Sequence, residues 1–297
     1  IPRRKLRAGS TPAPGTIFMF HIINNREDLD YLCKELAERT CLGIDTEFKR
    51  TSKDNLQLAL IQVSDSEEIY IIDCILIGKS DINLNFLSSI NVEKVFHSCR
   101  EDLEAFLTWT NEKINNIFDT QLANAFLGRS FSISYQDIVK EELGVSISKK
   151  ETRSNWIRRP LSNSQLSYAA SDVQFLLDVY ACQKPALIDS GKFTWFKEDL
   201  SLVTERLYRQ KKSSFEESDK EINKKVGKKI LVYFNNLIED ISERNKLNPT
   251  LFFSKKNQKD FIDLSMRYGL DNSLKRLTLW RRELLSEPLG IIFKEIS

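Results

Sequence analysis

The stretch "GIDTEFKR", Gly43 to Arg50, sets the hardest condition on any fold this chain adopts. It reads as an apolar strand, yet it carries two carboxylates, Asp45 and Glu47, separated by a single residue. Side chains alternate faces along an extended strand, so Asp45 and Glu47 project to one side and Ile44, Thr46 and Phe48 to the other. Two adjacent carboxylates on a half-buried strand repel each other and are costly to desolvate. The fold must leave that face to solvent or supply a cation there. For "DTE" alone an edge strand with wet acids is the simpler reading, and a metal site requires further carboxylates to converge on the pair.

The composition fits an ordinary globular chain: 297 residues, 41% hydrophobic and 29% charged, enough for one large domain or two smaller ones. No apolar run approaches the ~18 residues of a membrane span. The longest, "IYIIDCILIG" at Ile69–Gly78, is interrupted by Asp73 and suits a buried strand and its exit. Five cysteines (Cys33, Cys41, Cys74, Cys99, Cys182) show no C-x-x-C and no paired spacing, which reads as reduced thiols in a cytoplasmic protein. Only His21 and His97 could join them, so neither zinc nor a Ser-His-Asp or Cys-His mechanism finds support. Residues 1–18 hold Pro, Arg and small residues without the apolar core of a secretory signal, and are expected to be a disordered tail or an expression remnant. Charge is uneven: +4 over residues 1–18, −8 over 19–199 and +6 over 200–297. An acidic body joined to a basic tail reads as two modules, the second with a polyanionic partner.

Periodicity gives strands at Cys41–Phe48, Leu56–Val63, Glu68–Asp73 and Val92–His97, the first three as an antiparallel meander. Another strand follows Met19. Helical stretches fall at Arg26–Glu38, Cys99–Trp109, Asp119–Leu127 and Tyr135–Leu143, and one more runs from Ser164 through Cys182. The order implies an α/β fold, a mixed sheet with helices on both faces. Beyond residue 200 no strand is evident. "KKILVYFNNLIEDISERN" puts Ile230, Phe234, Leu237, Ile238 and Ile241 on one helical stripe, ended by Asn248–Pro249. Arg209–Lys225 is charged and nearly free of core residues, a linker or an exposed helix.

Two further stretches supply acids. In "VFHSCREDLEAF", Val95–Phe106, a strand ends at His97 and Ser98 precedes Glu101 by three residues, the spacing of a capping box, so a helix carries Asp102 in its early turns. In "RPLSNSQLSYAASDVQFLLDVY", Ser162 and Gln165 offer another capping box, and Tyr168 and Asp172, four apart, share a helix face. Either feature alone is common.

In this order, Asp-x-Glu on a strand, Asp102 after a strand–Ser–helix junction and Tyr-x-x-x-Asp on a late helix resemble the three motifs of the DEDD superfamily of 3′→5′ exonucleases with Tyr in the third motif. "DTEF", "FHSCREDLEAF" and "YAASDV" look most like those of the ribonuclease D family. "LQLALIQVSD", "FDTQLANAFLG", "IVKEELGV" and "ETRSNWIRRPLS" agree, and the resemblance covers most of residues 20–185. It departs at "DNLQ", where Asn55 and Leu56 replace an aromatic and a Pro. The resemblance implies a ribonuclease H-like fold and hydrolysis assisted by two divalent ions, Mg²⁺ or Mn²⁺, whose hard character suits oxygen ligands. Four acids would balance two dications. Asp45, Glu47 and Asp172 would hold the ion that activates water, with Asp45 bridging to the second and Asp102 supporting it through water. Tyr168 would orient the nucleophilic water, its reference pKa of about 10 making it a poor base.

Lys149, Lys150, Arg153, Arg158 and Arg159 surround Trp156, a pattern that suits a single strand, while a solvated loop with Trp156 in the core fits equally. Lys149 and Arg153, with Thr46, are the expected nucleic-acid contacts. His97 is expected to be a satisfied buried histidine. Residues from 222 on resemble an HRDC module, carried by the helix around Phe234, the Asn248–Pro249 loop and "LTLWRRELLSEPL"; the family often has two such modules and this chain has room for one. The expected organisation is a tail at 1–18, an exonuclease domain at 19–195, a linker helix at 196–221 and an HRDC-like domain at 222–297. The expected function is a cytoplasmic, monomeric 3′→5′ exoribonuclease acting on RNA 3′ ends such as tRNA precursors, with no membrane association. The alternatives are a DNA exonuclease of the same superfamily and a nucleic-acid-binding protein without catalysis.

Overall fold

A computed structural model of the chain describes residues 19–52, 55–79, 82–110, 112–147, 151, 154–208 and 224–296. The tail at 1–18 and most of the charged stretch, 209–223, lie outside them. The chain divides into two compact units, one gathering residues up to 121 with 133–185, the other 122–132 with 186 onward. The division falls just after Pro185, inside a helix, whereas the sequence reading put it at 195.

In the first unit the elements run β1 (Phe20–Ile23), α1 (Arg26–Ala37), β2 (Cys41–Ser52), β3 (Asn55–Ser64), β4 (Ile69–Asp73), α2 (Cys74–Ile77), α3 (Asn85–Ser88), β5 (Glu93–Phe96), α4 (Arg100–Trp109) and β6 (Ile117–Asp119). α5 (Thr120–Phe126) passes into the second unit at Leu122; α6 (Tyr135–Leu143) and α7 (Asn163–Gln174) belong to the first, and α8 (Leu176–Asp189) leaves it after Pro185. One six-stranded mixed sheet has the order β1-β4-β3-β2-β5-β6. β2, β3 and β4 form the expected antiparallel meander, while β1/β4, β2/β5 and β5/β6 pair in parallel. Every residue of β4 and of β3 from Leu58 to Ser64 is buried, so helices cover both faces, as a mixed sheet with crossovers requires. β6 escaped the sequence reading because three residues carry no readable period.

Two local expectations fail for one reason, a distant partner. The Ser98–Glu101 capping box does not form: Ser98 takes φ 64°, α4 starts at Arg100, and its cap Cys99 makes no side-chain bond. Nor is the helix from Ser164 to Cys182 continuous. It breaks at Phe175, whose N–H is donated to the Tyr135 hydroxyl at 3.0 Å. The Ser162–Gln165 capping box does form, with reciprocal bonds of 3.1 and 3.0 Å.

The second unit is helical: α9 (Phe193–Tyr208), α10 (Lys224–Arg244), α11 (Pro249–Phe253), α12 (Lys255–Tyr268), α13 (Leu270–Leu274) and α14 (Leu279–Ile296). Ile230, Phe234, Ile238 and Ile241 are buried along α10, as the stripe predicts. Asn248–Pro249 does more than end that helix, since the Asn248 side chain accepts from Thr250 N–H and caps α11. The expected linker helix at 196–221 is corrected over its described part. Phe196 and Leu200 of α9 are buried, Trp195 stacks on Trp280 at 5.1 Å, and Asp199 accepts from Arg281 at 2.8 Å. This helix is part of the core. Among the described residues, no helix is long and apolar enough to cross a membrane.

Candidate active site

β5 pairs with β2 only over Cys41–Gly43, so the next residues of β2 stand past the C-terminal end of a parallel neighbour, the usual place for a site in such sheets. Gly43, Asp45 and Glu47 share one face. Ser64, opposite Gly43, donates its hydroxyl to Val173 O of α7 at 2.8 Å. A Cβ on Gly43 would lie 2.5 Å from Ser64 Oγ and 3.1 Å from Leu176 Cβ, so glycine is what lets the end of α7 settle on the sheet. That contact delivers Asp172. One carboxylate oxygen from each of Asp45, Glu47 and Asp172 lies within 4.8 Å of the others.

Asp102 comes from the first turn of α4 and is 6% exposed. Thr46, which projects from the other face of β2, donates its hydroxyl to Asp102 Oδ1 at 2.6 Å. Asp102 and Asp45 are close enough for the charge of Asp45 to raise the Asp102 carboxyl. Tyr168, one turn before Asp172 on α7, gives Asp172 a hydrogen bond.

Burial pushes all four carboxyls up, and neighbouring acids add to it at Glu47, Asp45 and Asp102. Glu47 rises to about 10, first by desolvation and then by the charges of Asp45, Asp172 and Asp102. Asp172 rises to about 7 by desolvation, restrained by the Tyr168 hydrogen bond. Asp45 is raised by burial and then by Asp172. Asp102 is raised by burial and then by Asp45, with the Thr46 bond opposing. Clustered acids that burden one another this way are relieved by a divalent cation. The donor set is all oxygen, and Asp172 Oδ1 is buried without a hydrogen-bond partner, which fits a hard cation.

Of the expected nucleic-acid residues, Lys149 and Arg153, with Lys150, lie outside the described residues. The Thr46 expectation is corrected for its side chain, which is 5% exposed and committed to Asp102. Trp156 is 4% exposed with its ring 6.0 Å from that of Tyr168, so the core alternative is the one realised. Arg159 turns inward: Nη2 donates to Asp73 Oδ1 at 2.6 Å and Nη1 to Trp156 O at 2.6 Å. Arg158 is exposed. His97 is satisfied as expected, with Nδ1 2.8 Å from Thr120 Oγ1 and Nε2 3.0 Å from Ile133 O, and burial lowers its pKa. Two residues at the site went unread. Tyr135 is buried, holds the break after α7 and feels the charges of Asp172 and Asp45. Asp119 ends β6, where a carboxylate ahead of a helix signals a cap, but nothing local says that it serves a different helix.

A family model described as 3'-5' exonuclease matches residues 20–186. Ribonuclease D of Pseudomonas paraeruginosa is 38% identical over 188 residues, covering 63% of this chain and 50% of that protein. The chain thus spans about half the length of the curated relatives it matches. The crystal structure of Escherichia coli RNase D is similar with a TM-score of 0.60 at 24% identity, over 93% of this chain and 75% of that one. The catalytic core of RRP6 from Trypanosoma brucei follows with 0.59 at 21%, over 92% and 78%. At these identities the two structures speak for the fold. The match over 20–186 takes in all three acidic motifs, and the chain belongs to the 3'-5' exonuclease family.

Proposed function

We propose that the protein is a metal-dependent 3′→5′ exoribonuclease that trims RNA 3′ ends to nucleoside 5′-monophosphates, with precursors of tRNA or other structured RNA as substrates. The observation that carries this reading is the convergence of Asp45, Glu47 and Asp172 within 4.8 Å, beside a buried Asp102 and a Tyr168 bonded to Asp172. The relatives named ribonuclease D favour RNA.

In this reading Asp45, Glu47 and Asp172 would hold a divalent cation, and Asp102 beside Asp45 would help to hold a second. Bound Mg²⁺ or Mn²⁺ would neutralise the scissile phosphate and acidify the attacking water. The residues of the chain supply position. Glu47 and Asp45 face the substrate side by side because the strand period puts them there, and Thr46 aims Asp102 from below. Tyr168 orients the water that attacks the terminal phosphorus as the bond to the preceding 3′ oxygen breaks, which leaves a new 3′-OH for the next cycle. The helical unit, with the net +6 of residues 200–297, acts as an HRDC-like auxiliary RNA-binding module. Five free cysteines fit a reducing, cytoplasmic setting, and the protein acts as a monomer.

The test is a time course on 5′-labelled single-stranded RNA and DNA of one sequence, with Mg²⁺ or EDTA and with the 3′ end free or blocked. A ladder shrinking one nucleotide at a time on RNA, dependent on metal and a free 3′-OH, is expected. The same ladder on DNA alone would move the substrate class. Tight binding without cleavage would make this a binding protein.

A further inference from the structure

Asp119, Thr120 and Gln121 end β6 and open α5, and the side chains of Asp119 and Thr120 turn onto the neighbouring β5–α4 junction. The Asp119 carboxylate accepts from Ser98 N–H at 3.2 Å through Oδ1 and from Cys99 N–H at 2.8 Å through Oδ2, while Oδ1 also takes Gln121 N–H at 2.9 Å. The His97 ring spans Thr120 and the Ile133 loop, with Nδ1 2.8 Å from Thr120 Oγ1 and Nε2 3.0 Å from Ile133 O, while the Thr120 hydroxyl donates to Phe96 O at 3.1 Å. Gln121 Nε2 reaches the same Ile133 carbonyl at 2.9 Å.

The junction they grip is under strain. Ser98 is a non-glycine residue at φ 64°, in the left-handed region where the Cβ of an L-residue crowds the following carbonyl oxygen. The chain passes there from β5 into α4, and the α4 cap makes no side-chain bond of its own. Asp119 supplies the acceptors that the local sequence does not. Asp102 sits in the first turn beyond, with Thr46 bonded to Oδ1 from the other side.

We infer that Asp119 is a positioning residue for Asp102: by pinning the Ser98–Cys99 backbone it sets where Asp102 presents its carboxylate to the acid cluster, and through it the cation affinity of that side of the site. This rests on the reading of the four acids as cation ligands. Residues that orient a ligand without touching the metal typically change its affinity ~10–100-fold.

The test follows the melting temperature against MnCl₂ concentration, a binding readout that needs no turnover. Wild type, Asp119→Asn, Asp102→Asn and the double variant form a cycle. Asp119→Asn is expected to raise the Mn²⁺ midpoint ~10-fold, Asp102→Asn to do at least as much, and the double variant to be no worse than Asp102→Asn alone. A wild-type midpoint in Asp119→Asn, or effects that add in full, overturns the role of Asp119 and leaves the ligand reading standing. No Mn²⁺ response in wild type overturns both. If Asp119→Asn does not fold, the same cycle is run in a Ser98→Gly background, where glycine takes the positive φ without a Cβ, and the same criteria decide.

Discussion

Asp45 sits where three other carboxylates bear on it, so its charge is a burden to the protein without a cation. Asp45→Asn should abolish turnover while leaving the metal-free melting temperature unchanged or raised, because it removes like-charge repulsion; calorimetry in EDTA beside the nuclease assay checks both, and an unfolded variant would count against a solvated cation site. The role proposed for Tyr168 is different. Tyr168→Phe keeps the ring beside Trp156 and loses the hydroxyl bonded to Asp172. Turnover should fall ~10²-fold, the scale of a lost water-positioning group, with KM for RNA held within about twofold in steady-state kinetics. The acids and the Tyr were legible as residue types at fixed spacing, because alternation along a strand and the four-residue repeat of a helix are local properties. Thr46 was misread because the same alternation put it on the buried face, where only the tertiary structure supplies Asp102 as its partner.

At the scale of elements, the site depends on one close approach, the end of α7 against β2 and β3. Gly43→Ala puts a methyl group 2.5 Å from Ser64 Oγ and 3.1 Å from Leu176 Cβ. Overpacking of this kind costs about 1–3 kcal/mol, and urea denaturation should show it. Activity should fall beyond the loss of folded protein, since the helix that moves is the one carrying Tyr168 and Asp172; a variant with reduced stability and full specific activity would argue that Asp172 is held elsewhere. The elements themselves were mostly readable from periodicity and capping. The break at Phe175 was not, because "DVQFLLDV" contains neither Gly nor Pro, and the interruption comes from a tyrosine hydroxyl on α6. The linker reading of α9 failed likewise: the helix has apolar residues enough, but which of them face a core is decided only when Trp280 and Arg281 lie beside it.

For the whole molecule, the raised carboxyls tie stability to pH and cation together. The pKa of Asp172 is about 7 and that of Glu47 about 10, against a reference near 4 for the unfolded chain. Over that range the native state holds more protons than the unfolded one, so stability falls as pH rises. The contribution is whole below about pH 4 and is lost through 7 as Asp172 ionises and onward as Glu47 follows. A divalent cation binds the ionised acids and reverses the trend. The gain in melting temperature on replacing EDTA by MgCl₂ should therefore grow from about pH 5 to about pH 8, and a pH-independent gain in a calorimetric series would count against cation binding by these groups. By itself the sequence determined most of the strand and helix periods, the spacing that lets Asp45, Glu47 and Asp172 converge, and the split between an acidic body and a basic tail, since each is written in neighbouring residues. Only the tertiary structure decided that Asp119 replaces Ser98 in holding the start of α4, that Thr46 and Trp156 face inward, and that residues 122–132 join the second unit. Those outcomes depend on which distant groups come within hydrogen-bond or packing distance, and a linear pattern carries no record of that.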